Sequence, residues 1–288
     1  MIAFALIPFL MALAVTSPAQ AQWSFDAQAE LRQDSNLDNA RADDILSDNA
    51  FAATVAATQT TFFDRGDSLS WGGLAATESY ARFPGLNNLA LGGFAAFRHK
   101  IGLGAYAPWL RAGWSSSRLS YVNNVRDGWL HRADFAAGKR LDERWSVSAN
   151  YRFEAHSATT QAQAEPGVSG DAFSGHAQTL ILGTEYAAGA GLLLSAGGFA
   201  RHGDVVSIGR DDDRVLAAAK AAANDGVFGA DRYAYRLVGT SCGLAFGLGV
   251  ALGPRSRLTL DVQRQVTHAA GDNNYAKGIE TLTWIGSF

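Results

Sequence analysis

Residues 275–288 read Tyr275-Ala276-Lys277-Gly278-Ile279-Glu280-Thr281-Leu282-Thr283-Trp284-Ile285-Gly286-Ser287-Phe288. Counted back from Phe288, Trp284 and Leu282 share its face, while Lys277, Thr281 and Thr283 fall on the other. Side chains of a strand point alternately to its two faces, so one face here is apolar and aromatic and the other polar. A strand with lipid on one side and water on the other reads this way.

Working back along the chain, the pattern recurs. Trp23, Phe25, Ala27, Ala29 and Leu31 oppose Ser24, Asp26, Gln28, Glu30 and Arg32. Trp145, Val147, Ala149, Tyr151 and Phe153 oppose Ser146, Ser148, Asn150, Arg152 and Glu154. Weaker forms of the same alternation predict strands at 51–63, 68–82, 89–98, 105–120, 129–139, 172–186, 192–201, 232–251 and 258–268. Asp64-Arg65-Gly66-Asp67, Pro84-Gly85, Gly102, Gly104, Pro254 and Gly271-Asp272-Asn273-Asn274 break the runs, as turn residues should. Twelve strands result, with long and short connections alternating, so both termini lie at one end. The Gly-rich 232–251 segment is expected to carry a bulge.

Composition agrees. With 31 Gly, 7 Trp, 8 Tyr and 16 Phe, the chain suits a closed all-β sheet whose aromatics form girdles at two lipid–water boundaries. A net charge of −3 offers nucleic acid no electrostatic footing. The single Cys242 excludes an internal disulfide and is expected to be a small packed residue. Residues 1–21 are apolar and end in Ala19-Gln20-Ala21, so they are expected to be a cleaved secretory signal, although its start lacks the usual Lys or Arg. No later apolar run is long enough for a spanning helix.

A chain with such a leader and such a final strand resembles the Gram-negative outer-membrane β-barrel proteins. The resemblance covers 22–288 and is architectural. It implies an all-β fold, a transmembrane antiparallel up-and-down β-barrel of about twelve strands in the cell outer membrane. It also implies contact with membrane lipid and lipopolysaccharide, and recognition of Leu282, Trp284 and Phe288 by the barrel-assembly machinery. Oligomeric state stays open.

Alternation places Glu30, Arg32, Glu78, Arg82, Arg98, Arg111, Arg132, Asp134, Arg152, Glu154, Arg236 and Asp261 inward. Of these, Arg32, Arg98, Arg111, Arg132, Arg152, Glu30, Glu78 and Glu154 are the expected lumen-lining set. Their slight cationic excess suits an anion-preferring pore; full pairing with carboxylates would instead suit a braced, closed interior. Arg264 and Glu280 fall on the lipid side, against simple alternation. The longest loop, 202–231, holds Asp211-Asp212-Asp213 before the Ala-rich run 214–224. Acidic residues ahead of good helix formers predict a capped short helix, with Asn224-Asp225-Gly226 as its stop, and a constriction at the outer mouth.

Chemistry is sparse. The six His lack zinc-ligand spacing, so no metal or cofactor is expected. Gly247-Leu248-Gly249 lacks the βαβ setting of a dinucleotide loop. His156 and Ser157, being adjacent in a strand, point apart and cannot act as base and nucleophile. The expectation is a non-enzyme: a passive diffusion channel for small polar or anionic solutes, or, as the alternative, a closed structural or adhesive barrel presenting its outer loops.

Overall fold

The computed structural model describes residues 20–42, 44–63 and 66–288, with the side chains of Gln20 and Ala21 left aside. The expected signal segment, 1–21, lies almost wholly outside the described residues. The described residues form thirteen strands: β1 Gln20–Asp34, β2 Asp48–Phe62, β3 Ser68–Tyr80, β4 Asn88–Lys100, β5 Trp109–Tyr121, β6 Gly128–Arg140, β7 Trp145–Ala158, β8 Gly175–Gly189, β9 Leu192–Gly209, β10 Ala221–Asn224, β11 Tyr233–Gly253, β12 Ser256–Ala269 and β13 Tyr275–Ser287. The one α-helix among the described residues, α1, spans Asp213–Ala218.

Consecutive wall strands pair antiparallel, β13 pairs with β1, and β9 pairs with β11. Removing β10, which pairs only with β11, leaves twelve strands in a closed up-and-down barrel. Closure gives every wall strand two neighbours, the way a sheet meets the demand that hydrocarbon places on backbone amides. One end carries the connections 63–67, 101–108, 141–144, 190–191 and 254–255 together with the start of β1 and the end of β13. The other carries the longer loops and, by the pattern of such barrels, is the outer end.

The outward face is apolar. Phe25 and Leu31 are each 57% exposed, Phe135 57% and Phe246 61%; side chains of this size in continuous display require lipid rather than water. Gly243 and Gly247 make room on β11: a Cβ at 243 would stand 2.4 Å from the Phe199 ring, and one at 247 would stand 2.2 Å from the Asp261 carboxylate. Close approach of neighbouring side chains accounts for Gly in this strand. The expected irregularity in β11 sits at its short-turn end, where register shifts between Ala251 and Gly253.

Three expectations need correction. β3 stops at Tyr80, so Arg82 lies in the following loop and donates to the Ser47 carbonyl (2.9 Å) rather than lining the lumen. Cys242 is exposed on the outward face rather than packed, because it shares parity with Leu244 and Phe246. The loop expected over 202–231 is shorter, since β9 continues through the β-branched Val205, Val206 and Ile208 to Gly209.

The helix expected within 214–224 also ends early. Its cap residue Ala219 is already extended (φ −77°, ψ 138°), and Ala221–Asn224 pairs with the outer end of β11 instead. Helix propensity lost to tertiary contact there.

Candidate functional site: the lumen and its lid

The register carries the eight expected lumen-lining residues inward; Arg236, also expected inward, instead shares the parity of the outward Cys242 and Leu244 and donates to the Ser174 carbonyl at 2.8 Å. Glu30 lies opposite Ala52 and Ala52 opposite Glu78, while Arg132 lies opposite Glu154 and Arg152 opposite Asp134. Arg32 bonds Glu78, reaches the Tyr80 hydroxyl at 3.2 Å and stands 3.6 Å from Glu30. Arg132 bonds Glu154 and Arg152 bonds Asp134, each at 2.8 Å. Arg98 is different: its guanidinium lies 5.0 Å over the Trp109 ring. Among the described residues neither Arg98 nor Arg111 has a carboxylate within ion-pair distance.

These side chains stay wet. Arg132 is 44% exposed and Arg152 35% exposed although both point into the barrel. An ion pair in that setting is solvated and contributes roughly 0–1 kcal/mol.

The outer mouth is built on the opposite principle. β9 and β11 rise past their neighbours as a two-stranded ribbon, and the chain between them, 210–232, crosses the barrel. Its tip reaches the loop joining β3 to β4: Phe228 packs on Phe83 with centroids 4.7 Å apart, and Val227 covers Gly85. β3 is six strands from β9 in either direction around the barrel, so this segment spans the full diameter. It is a lid.

Its layers are well defined. β10 lies along the outer end of β11, and the β7–β8 loop closes its other side through Ala222 N–H to the Ser169 carbonyl (2.8 Å) and Asn224 N–H to the Ala162 carbonyl (3.3 Å). Ala221, Ala222, Ala223, Ala234, Tyr235 and Leu237 are buried there. Alanine suits β10 because both its faces are covered, Ala221 and Ala223 by Phe173, Ile208 and Ala234 and Ala222 by Val215, Tyr235 and Leu237. The apolar core of the described chain is in this lid, not inside the barrel.

Charged residues fasten it. Arg126, in the β5–β6 loop, makes a two-pronged bond with Asp225 (the longer contact 3.1 Å), with the carboxylate fully buried and the guanidinium 4.3 Å over the Phe173 ring. Arg232 holds Asp38 at 3.3 Å and Asp44 at 2.6 Å in the first outer loop. Lys220 bonds Asp204 at 2.6 Å. Burial pushes Asp38 up to about 6, against the pull of the Leu46 amide and of Arg232.

Of the three expected constriction residues, Asp212 caps α1 by accepting from the Arg214 and Val215 amides and pairs with Arg41 at 2.7 Å. Asp211 and Asp213 are exposed. Nothing in the sequence marks the buried fasteners Asp225, Arg126, Arg232 and Asp38 as lid contacts. Asp225 reads there as part of a helix stop, and nothing local distinguishes a buried aspartate from a loop one.

At the seam between β13 and β1, Leu282 and Trp284 face outward, and the Phe288 backbone exchanges hydrogen bonds with Phe25 (2.8 and 3.4 Å). His156 points inward with Nδ1 2.5 Å from the Phe173 carbonyl, while Ser157 is on the exposed outer side.

No protein-family model and no curated protein sequence matches this chain. Solved structures do. The COG4313 outer membrane channel from Pseudomonas putida F1 superposes with a TM-score of 0.55 over 96% of this chain and 99% of its own, at 14% identity. The fold is that of an outer-membrane β-barrel. The NanC porin covers 91% of the chain at 10% identity with a TM-score of 0.48, and the KdgM porin 92% at 10% identity with 0.42. At such identities the likeness to the first concerns fold, and the other two add no argument.

Proposed function

We propose that this barrel is a passive outer-membrane channel for small polar or anionic solutes, with the 210–232 lid controlling its mouth. The observation that carries the reading is the half-exposed, incompletely paired charge of the lumen: Arg98 and Arg111 lack carboxylate partners among the described residues, and Arg132 keeps 44% of its side chain exposed. A dry interior would force such charges into pairs. A wet one leaves the arginine excess free to lower the entry cost of anions. In this reading residues 1–21 are removed on export. Lipid and lipopolysaccharide surround the wall, and the strand bearing Leu282, Trp284 and Phe288 is the segment the barrel-assembly machinery engages.

The packed lid favours a second reading, a closed barrel that presents its outer loops without transport. Single-channel conductance of the refolded mature chain in planar bilayers separates the two. Anion-preferring steps that lose selectivity in Arg98→Ala and Arg111→Ala, but little in Arg132→Ala, support the channel. A silent parent with a conducting Asp225→Ala variant supports a channel that is shut at rest. Silence in both leaves the closed barrel.

A further inference from the structure

Beneath the lid lies a cavity of ≈ 260 Å³. Its walls join inward residues of the barrel, Tyr80, Tyr121 and His156, to Leu37 and Leu86 of outer loops, to Phe173 of the β7–β8 loop and to Phe228 of the lid itself. A dry apolar cavity of about 150 Å³ accommodates benzene, so this one admits a single six-membered ring with substituents. Concave, mostly apolar sites with a few directed polar groups are where small molecules bind.

The polar groups here are specific. The Tyr121 hydroxyl has no hydrogen-bond partner among the described residues, and His156, engaged through Nδ1 with the Phe173 carbonyl, leaves its buried Nε2 without one, whereas the Tyr80 hydroxyl accepts from Arg32 at 3.2 Å. Among the described residues, the cation that lines the cavity, Arg126, is already spent on Asp225. An anion entering this cavity would be desolvated without a free cation to receive it. A neutral molecule with an apolar body and one accepting oxygen loses less. We propose that the cavity is a capture site for small neutral oxygenated solutes, such as cyclic ketones or esters, with the oxygen on the Tyr121 hydroxyl and the ring against Leu37, Leu86 and Phe228. The site deepens the channel reading by adding, at the mouth, a selectivity distinct from that of the arginine-lined lumen below.

The test is equilibrium binding to the refolded full barrel in detergent, followed by ligand-observed NMR with three probes of similar size: cyclohexanone, cyclohexane and benzoate. Cyclohexanone should bind most tightly. Tyr121→Phe should weaken it about three- to tenfold, the effect of one neutral hydrogen bond, and leave cyclohexane unchanged. Leu86→Trp should fill the cavity and abolish binding, with heat-modifiable gel mobility confirming that the barrel is folded. Benzoate binding as tightly as cyclohexanone, or indifference to both substitutions, overturns the proposal. Since no current is measured, a silent barrel that binds cyclohexanone refutes only conduction. A conducting barrel that does not bind it refutes only this site.

Discussion

Two sets of arginine–carboxylate pairs in this chain share chemistry and differ in surroundings. In the lumen, Arg132–Glu154 and Arg152–Asp134 meet at 2.8 Å with their arginines 44% and 35% exposed. At the mouth, Arg126–Asp225 and Arg232–Asp38 are enclosed, with both carboxylates fully buried. The difference teaches that the barrel interior is solvated and the lid is a protein core. Strength follows the surroundings. A wet pair is worth little, while a buried pair with one partner removed leaves a charge that water cannot reach.

The comparison breaks most sharply at Arg126. Arg126→Ala strands the Asp225 carboxylate and should cost the docked lid about 3–5 kcal/mol, whereas Arg132→Ala should cost less than about 1 kcal/mol. Limited proteolysis of folded protein would read this as rapid cleavage within 210–232 in the first variant and none beyond the parent rate in the second. Replacing both partners, as Arg126→Met with Asp225→Leu, should recover much of the protection. Equal protease sensitivity of the two single variants would erase the distinction between lumen and lid.

Next in size is Gly128, where β6 begins beneath the lid. A Cβ there would stand 2.4 Å from the Ser157 carbonyl and 2.8 Å from His156 Nε2. Overpacking of this kind costs about 1–3 kcal/mol. Gly128→Ala should therefore loosen the His156–Phe173 contact and sensitise the 159–174 loop to protease. Gly183→Ala, whose Cβ would meet only Ser148 Oγ at an ordinary 3.4 Å, should do nothing measurable.

The wall was legible in the sequence and the lid was not, for a physical reason. A strand such as β7 declares both faces through a period of two, and Trp145 to Phe153 and Ser146 to Glu154 fall on the faces their parity assigns. The lid obeys no period. Ala221, Ala222 and Ala223 carry the composition of a helix and form a strand because β11 and the β7–β8 loop lie on either side of them. Asp225 carries the composition of a turn and is buried because Arg126, distant in sequence, arrives from across the barrel. The outward reading of Arg264 and Glu280 held even though it broke the apolar rule.

Acidity should sharpen the comparison through Asp38. Closed, this carboxyl is pushed up to about 6 by burial; released into water it would return to about 3.9. The closed lid therefore binds more protons between those two values, and lowering pH through that window favours closure. In the channel reading proposed above, open probability should fall between pH 7 and pH 4.5, and Asp38→Asn should flatten that dependence. A rise on acidification would mean that losing the Arg232–Asp38 attraction outweighs the relief of an enclosed charge.

The smallest expected effect belongs to a third pair. Arg264 and Glu280 stand 3.4 Å apart on the outward wall, 64% and 50% exposed. Arginine on the lipid side of a barrel costs about 2–4 kcal/mol at the bilayer midplane and about 0–1 near its boundaries. Several neighbours argue for the boundary: Gln33 pairs with Glu280 in register, Asn49 pairs with Gln33, and both are exposed. Replacing Arg264 and Glu280 together by Leu should thus change the unfolding midpoint in lipid vesicles by less than about 1 kcal/mol, in either direction. A gain of several kcal/mol would place this pair deep in hydrocarbon. The polar lumen and the polar patch on the wall would then be separate answers to charge in a membrane protein, one solved by water and the other tolerated at a cost.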